Sequence, residues 1–139
     1  MSFNLATPKN TRSYLKVPKA SGLATTKAAL YFFSITTGAL QVAGAATTAN
    51  QILYRASETL VSGDNRTDVH VLEVAQGDTF IVDTVNNSNS AHNGQRMILD
   101  ATGLLLNNTG TDVPGTTGVF QQIQPVGAAA DKKILAQRV

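Results

Sequence analysis

The segment Asp68–Val74, DVHVLEV, alternates from Asp68 to Val71, with Val69 and Val71 against Asp68 and His70, and closes on Glu73 and the apolar Val74. A period of two places every second side chain on the same face, which is the pattern of a half-buried β-strand. This pattern recurs down the chain. AALYFFSITT ends at Gly38, ALQVAG at Gly44, and QILYRASETLV at Ser62–Asn65. After DVHVLEV, the turn QGD leads into TFIVDTV, then NNSNSAHNG forms a polar loop. QRMILDA, LLLN, VFQQIQPVG and KKILAQRV complete the series. Short β-forming runs about every 8–14 residues, punctuated by Gly and Asn, point to a β-sandwich or a small barrel. The expected fold is mainly β: a single β-sandwich of jelly-roll type or a small β-barrel, preceded by an extended N-terminal arm. One stretch also fits a helix, since Ile52, Ala56 and Leu60 of TTANQILYRASETL fall on one helical face.

A chain of 139 residues fits one domain. Charged residues are 14% of it against a usual figure of about 25%. That low charge, with abundant Thr, Asn, Gly and Ala, suits a β-protein covered by small polar groups rather than a disordered tail. Cysteine is absent, which excludes disulfides and thiolate metal sites. The first residues, MSFNLATPKNTRSYLKV, carry no apolar signal-like core. The longest apolar run, Ala28–Ile35, is far shorter than the roughly 20 residues that span a bilayer. A soluble chain that folds in a reducing cytoplasm, with no membrane partner, is therefore expected.

Charge is unevenly distributed. Residues 1–57 hold Lys9, Arg12, Lys16, Lys19, Lys27 and Arg55 and no acid, whereas residues 58–139 carry a net −4. Pro8 and Pro18 favour extended backbone over residues 1–27. These residues read as an extended basic arm, 1–27, leading a β-domain, 28–139. Such an arm can lie on an acidic surface of a partner or of a neighbouring copy.

Motifs for chemistry are missing. His70 and His92 have neither H-E-x-x-H context nor i, i+4 spacing, and read as solvated imidazoles. The nine acids are isolated and mostly placed at turns and strand ends. The pair Asp100 and Asp112 in MILDATGLLLNNTGTDVPGTTG lacks the spacing and late Glu of a calcium loop. Asp100 is read as closing a strand at the Ala101–Gly103 turn, with Leu104–Leu106 returning as a buried strand. No G-x-S-x-G or phosphate-binding glycine loop occurs. The sequons at Asn65, Asn86 and Asn107 are what an Asn- and Thr-rich chain produces by chance. The basic segment has a single arginine before residue 28 and no nucleic-acid-binding module around it, so no specific nucleic acid is expected. No enzyme activity and no cofactor are expected.

From about Gly77 the order GDTFIVDTV, polar loop, GQRMILDATGLLLNNTGTDVPGTTGVFQQIQPVG, then AAADKKILAQRV resembles the small auxiliary capsid proteins of tailed bacteriophages, the decoration or cement proteins. The resemblance covers roughly sixty residues of the chain and rests on turns, alternation and an Ala-rich close before a last strand. It implies a structural virion protein on the outer capsid surface. Such a protein binds the major capsid protein, sits as a dimer or trimer at symmetry axes, and clamps neighbouring subunits. It also implies that an N-terminal arm adds a strand to a partner. On that expectation Lys9, Arg12, Lys16 and Lys19 meet acidic patches of the shell, and Phe3, Tyr14, Leu15 and Val17 fill its grooves. Deletion of residues 1–19 should then weaken shell binding and leave the β-domain folded. A ligand- or receptor-binding β-module of a virus fibre is the alternative, disfavoured by the absence of Trp and by aromatics at 6%.

Overall fold

A computed structural model describes residues 3–7, 14–109, 112–113 and 117–139, with the backbone alone described for Leu5 and Thr7. Lys9 and Arg12 lie outside the described residues. Eleven strands account for nearly all the regular structure, with two short 3₁₀ turns at Ser90–His92 and Ala129–Asp131. The strands are β1 (Phe3–Thr7), β2 (Leu15–Pro18), β3 (Leu30–Ser34), β4 (Ala39–Val42), β5 (Leu53–Ala56) and β6 (Asp68–Val74). They continue with β7 (Thr79–Asp83), β8 (Arg96–Leu99), β9 (Leu106–Asn107), β10 (Phe120–Pro125) and β11 (Lys133–Arg138). The alternating runs of the sequence thus become strands, and the Thr47–Leu60 stretch is a strand and loops instead of a helix.

Two antiparallel sheets form. One has the order β1-β7-β11-β10-β8-β9, the other β2-β6-β5-β3-β4. The sheets are built from consecutive blocks of chain, β2–β6 and β7–β11, and only β1 crosses to the sheet of the other block. Both sheets curl. In the five-stranded sheet, Lys19 just after β2 bridges Leu40 of the opposite edge strand β4, and Ala20 N–H donates to the Leu40 carbonyl at 3.1 Å. In the six-stranded sheet, Thr84 after β7 bridges Leu106 of β9.

This curling makes two cores from one chain. Strand β3 shows how. Leu30 and Phe32 face the other sheet, while Tyr31 and Phe33 face the inside of the curled five-stranded sheet. The first core lies between the sheets and holds Leu53, Val74, Phe80, Val82, Leu99, Leu106, Phe120 and Ile134. The second, inside the curl, holds Val17, Ala29, Leu40, Ala56, Leu60, Val69 and Val71. A strand buried on both faces reads as a continuous apolar run, as LYFF does.

The described parts of the N-terminal segment, residues 3–7 and 14–18, are extended but packed onto the body. Phe3 is fully buried in the first core. Its ring packs against Phe80 and Phe120 with centroids 5.8 and 5.2 Å apart, and those two rings meet edge-on at 5.9 Å. Strand β1 pairs with β7 from Phe3↔Val82 to Thr7↔Thr79. Strand β2 pairs with β6 from Leu15↔Val71 to Pro18↔Asp68 and sends Val17 into the second core.

Turns are locked by the acids that the sequence places there. Asp100 Oδ1 accepts from Thr102 Oγ1 at 2.9 Å and from the N–H of Leu105 at 3.1 Å, and Asp100 N–H donates to the Leu105 carbonyl at 3.0 Å. Gly103 in this turn has φ +69°, and a Cβ there would lie 2.7 Å from the Leu30 carbonyl oxygen and 2.8 Å from that of Ala43. The Asp100 reading therefore holds. The return strand is shorter than expected, Leu106–Asn107, with Leu104 directed to the second core and Leu106 to the first.

Candidate partner-binding groove

The face of the five-stranded sheet turned away from the second core carries a groove of about 330 Å³ lined by Tyr14, Lys27, Arg55, Ser57, Glu58 and His70. Its floor is set by strand register. Arg55 of β5 lies opposite Leu72 of β6, and Ser57 N–H donates to the His70 carbonyl at 3.0 Å. Lys16 of β2 pairs with His70 on the other side of β6. A period of two then puts the side chains of Lys16, His70 and Arg55 on one face, the face opposite the second core.

Arg55 is half-buried and its Nε donates to the Phe3 carbonyl at 2.5 Å, which ties β5 of one sheet to β1 of the other. Burial pushes its pKa below the usual arginine value, partly offset by the neighbouring Tyr14 hydroxyl. Lys27 is exposed and its backbone N–H donates to Thr59 Oγ1 at 3.0 Å. Ser57 Oγ is buried without a hydrogen-bond partner.

Glu58 is the single acid of the groove, and it is already engaged. Arg66 Nη2 lies 2.6 Å from its Oε1, and its Oε2 accepts from the His70 N–H at 2.8 Å and sits 2.7 Å from His70 Nδ1. The Arg66 hydrogen bond, followed by that of the His70 backbone, pulls the Glu58 carboxyl down to about 2. Lys16, Lys27 and Arg55 thus face the groove region with its one carboxylate neutralised from the side.

The residues expected to contact a partner separate into three groups. Tyr14, Leu15 and Lys16 are exposed, Tyr14 at 65% and Leu15 at 44%; Tyr14 lines the groove, Lys16 stands beside it through its pairing with His70, and Leu15 lies on the other face of β2 with Val17. Phe3, Val17 and Lys19 are buried. Phe3 and Val17 fill this chain's own cores rather than a groove of a partner. Lys19 Nζ donates to the Asp64 carbonyl at 3.0 Å, so it closes a loop of its own chain. Lys9 and Arg12 are outside the described residues. Sequence reading missed Lys27, Arg55, Ser57, Glu58 and His70 as members of one site. The signal was present in the acid-free first 57 residues, since Lys27 and Arg55 belong to the same excess of charge as Lys16.

Elsewhere three buried polar side chains, those of Asn108, Gln122 and Arg138, hold the backbone of other segments. Asn108 accepts from Asn86 N–H at 2.8 Å and donates to the carbonyls of Asn86 and Asn87. Gln122 Nε2 donates to the Asn89 carbonyl at 2.8 Å and to Asn93 Oδ1 at 2.9 Å. The polar loop Asn86–Gly94 is therefore anchored by two buried amides. Arg138 is buried at 5% exposure with its guanidinium on the carbonyls of Val119, Val139, Ala49 and Gln51, and burial lowers its pKa to about 10. Among the described residues no group of three or more His, Cys, Asp or Glu is placed to hold a metal ion, and no helix is long and apolar enough to cross a membrane. No protein-family profile, curated protein or solved structure matches this chain.

Proposed function

We propose that the chain is a structural virion protein that binds the outer surface of a tailed-phage capsid and stabilises the shell by clamping neighbouring major capsid subunits. The observation that carries this reading is the groove: a hollow holding Lys27 and Arg55 and lined by the exposed Tyr14. Tyrosine and arginine are enriched at protein interfaces, where a rigid ring or a planar fork gives contact area at small entropic cost. The buried polar side chains support the same reading, since those of Asn108, Gln122 and Arg138 hold loops and strand ends in place. A further apolar surface, with Ile35 at 88% exposure near the end of the β3–β4 hairpin and Ile52 at 48%, adds a second place where a neighbour gains by covering it.

The clamp proposed from sequence, an arm of residues 1–27 reaching to the shell, takes a different form here. Strands β1 and β2 belong to the body, and the shell contact passes to Tyr14, Leu15, Lys16 and the groove behind them. A dimer or trimer at a symmetry axis would present several such grooves at once, and avidity over repeated sites then raises the strength of a modest contact. The test is co-sedimentation of the purified chain with expanded empty heads of the phage that encodes it. Saturable binding at a fixed number of copies per capsid subunit is expected. Chain that stays in the supernatant at all concentrations overturns the proposal.

A further inference from the structure

We propose that the groove between Tyr14, Lys27 and Arg55 is a carboxylate-binding site, and that its natural occupant is an acidic segment of a partner protein. The inference deepens the shell-binding proposal and rests on it only for who the partner is; the carboxylate preference belongs to the groove itself.

Three observations carry it. First, charge. Lys27 and Arg55 line the groove and Lys16 stands beside it through its pairing with His70. The one acid in the lining, Glu58, already holds Arg66 and His70. An incoming carboxylate therefore meets cations whose charge the local acid does not cancel. Second, unfilled hydrogen-bonding capacity. Arg55 commits its Nε to the Phe3 carbonyl and gives no other hydrogen bond among the described residues. Ser57 Oγ lies under the groove, buried and without a partner. A buried hydroxyl left unpaired costs free energy that an acceptor arriving above it restores. With Nε held by the Phe3 carbonyl, the two Nη groups of Arg55 remain to donate end-on to a carboxylate. Third, size. About 330 Å³ holds one or two acidic side chains, whereas a nucleic-acid backbone needs a basic track running over several phosphates.

Tyr14 adds its 65% exposed ring to the lining of the charged hollow, an arrangement that suits an acidic side chain with an apolar neighbour. Contacts of this kind lose strength as salt screens them.

The experiment is a titration of the full-length chain, labelled with ¹⁵N and ¹³C, by the acetylated and amidated tripeptide Glu-Asp-Glu. Its controls are the neutral Gln-Asn-Gln peptide, inorganic phosphate and a short single-stranded oligonucleotide. The proposal expects saturable shifts confined to Tyr14, Lys27, Arg55 Nε, Ser57 and His70 with the acidic peptide. It also expects them to weaken by about tenfold in the double variant Lys16→Gln, Lys27→Gln. Both lysines are exposed, so this variant should fold, and its amide spectrum verifies that. Shifts of equal size with the neutral peptide, or no saturable shift with the acidic one, overturn the proposal. So does tighter binding of phosphate or the oligonucleotide, which would make the groove a phosphate site. No shell is present in this titration, so its failure leaves capsid binding to be judged by co-sedimentation. Conversely, peptide binding by a chain that does not sediment with heads would retain the carboxylate site and reject the capsid as its partner.

Discussion

At the scale of single residues, the account turns on side chains that reading by pattern would treat as surface or spacer. Phe3 is the plainest case. Its ring completes an aromatic trio with Phe80 and Phe120, so Phe3→Ala should destabilise the protein by about 3–5 kcal/mol in denaturant unfolding. A freely hanging arm would give no change. Gly103 is a second case. Its positive φ alone would cost a side chain about 1–2 kcal/mol, and the carbonyls of Leu30 and Ala43 stand where a Cβ would go. Gly103→Ala should therefore lower the melting temperature clearly, while an alanine at the open Gly38 should cost only its backbone term. Glu58 gives a pH signature. Its folded pKa, about 2, lies below the ordinary 4.5, so its contribution to stability is complete above about pH 4.5 and is lost as the pH falls toward 2. Glu58→Gln should flatten the acid limb of the stability profile between those values, read by thermal unfolding across that range. The effect will be small, because the pairs with Arg66 and His70 are partly solvated.

At the scale of elements, the strands of the body were legible and the first two were not, for a physical reason. Asp68–Val71 and Thr79–Asp83 alternate because one face of each packs on a core, Val74 at the end of β6 turns to the other core, and β3 reads as LYFF because both its faces are packed. Phe3 and Val17 follow no shared period, since β1 and β2 each deliver one of them to a different core, from different sheets. Scattered apolar residues between prolines then look like a linker. The helical reading of Thr47–Leu60 failed because Ile52 is on the surface while Leu53 and Ala56 go to opposite cores, which a strand allows and a helical face does not. The groove was legible only as an excess of charge, because Lys16, Lys27, Arg55 and His70 come together through the β2-β6-β5 pairing. Removal of residues 1–19 takes away both edge strands, with Phe3, Val17 and Lys19. The truncated chain should lose its single cooperative transition and bind a hydrophobic dye. An unchanged melting curve would show that β1 and β2 add nothing to the body. Arg138 belongs at this scale too, since its guanidinium joins the end of β11 to Val119 before β10 and to Ala49 and Gln51 before β5. Arg138→Met should cost about 3 kcal/mol or more, as buried carbonyls lose their donors together.

At the scale of the whole molecule, two curled sheets share one wall and leave the outer face of the β2-β6-β5 region open to a partner. The acid-free first 57 residues provide the cations of that face, and the acids after them are largely spent on turns, as Asp100, Asp112 and Asp131 are on backbone N–H groups. A β-body that presents Lys16, Lys27 and Arg55 together at one groove suits a protein that must seat the same way on many identical sites. The claim that it does so on a phage shell is tested most directly by cryo-electron microscopy of expanded heads with and without the chain. The account predicts added density on the outer surface at a symmetry axis, shaped as two packed sheets, with Tyr14 and Lys27 turned toward an acidic segment of a capsid subunit. Heads whose maps are identical with and without saturating chain would contradict it.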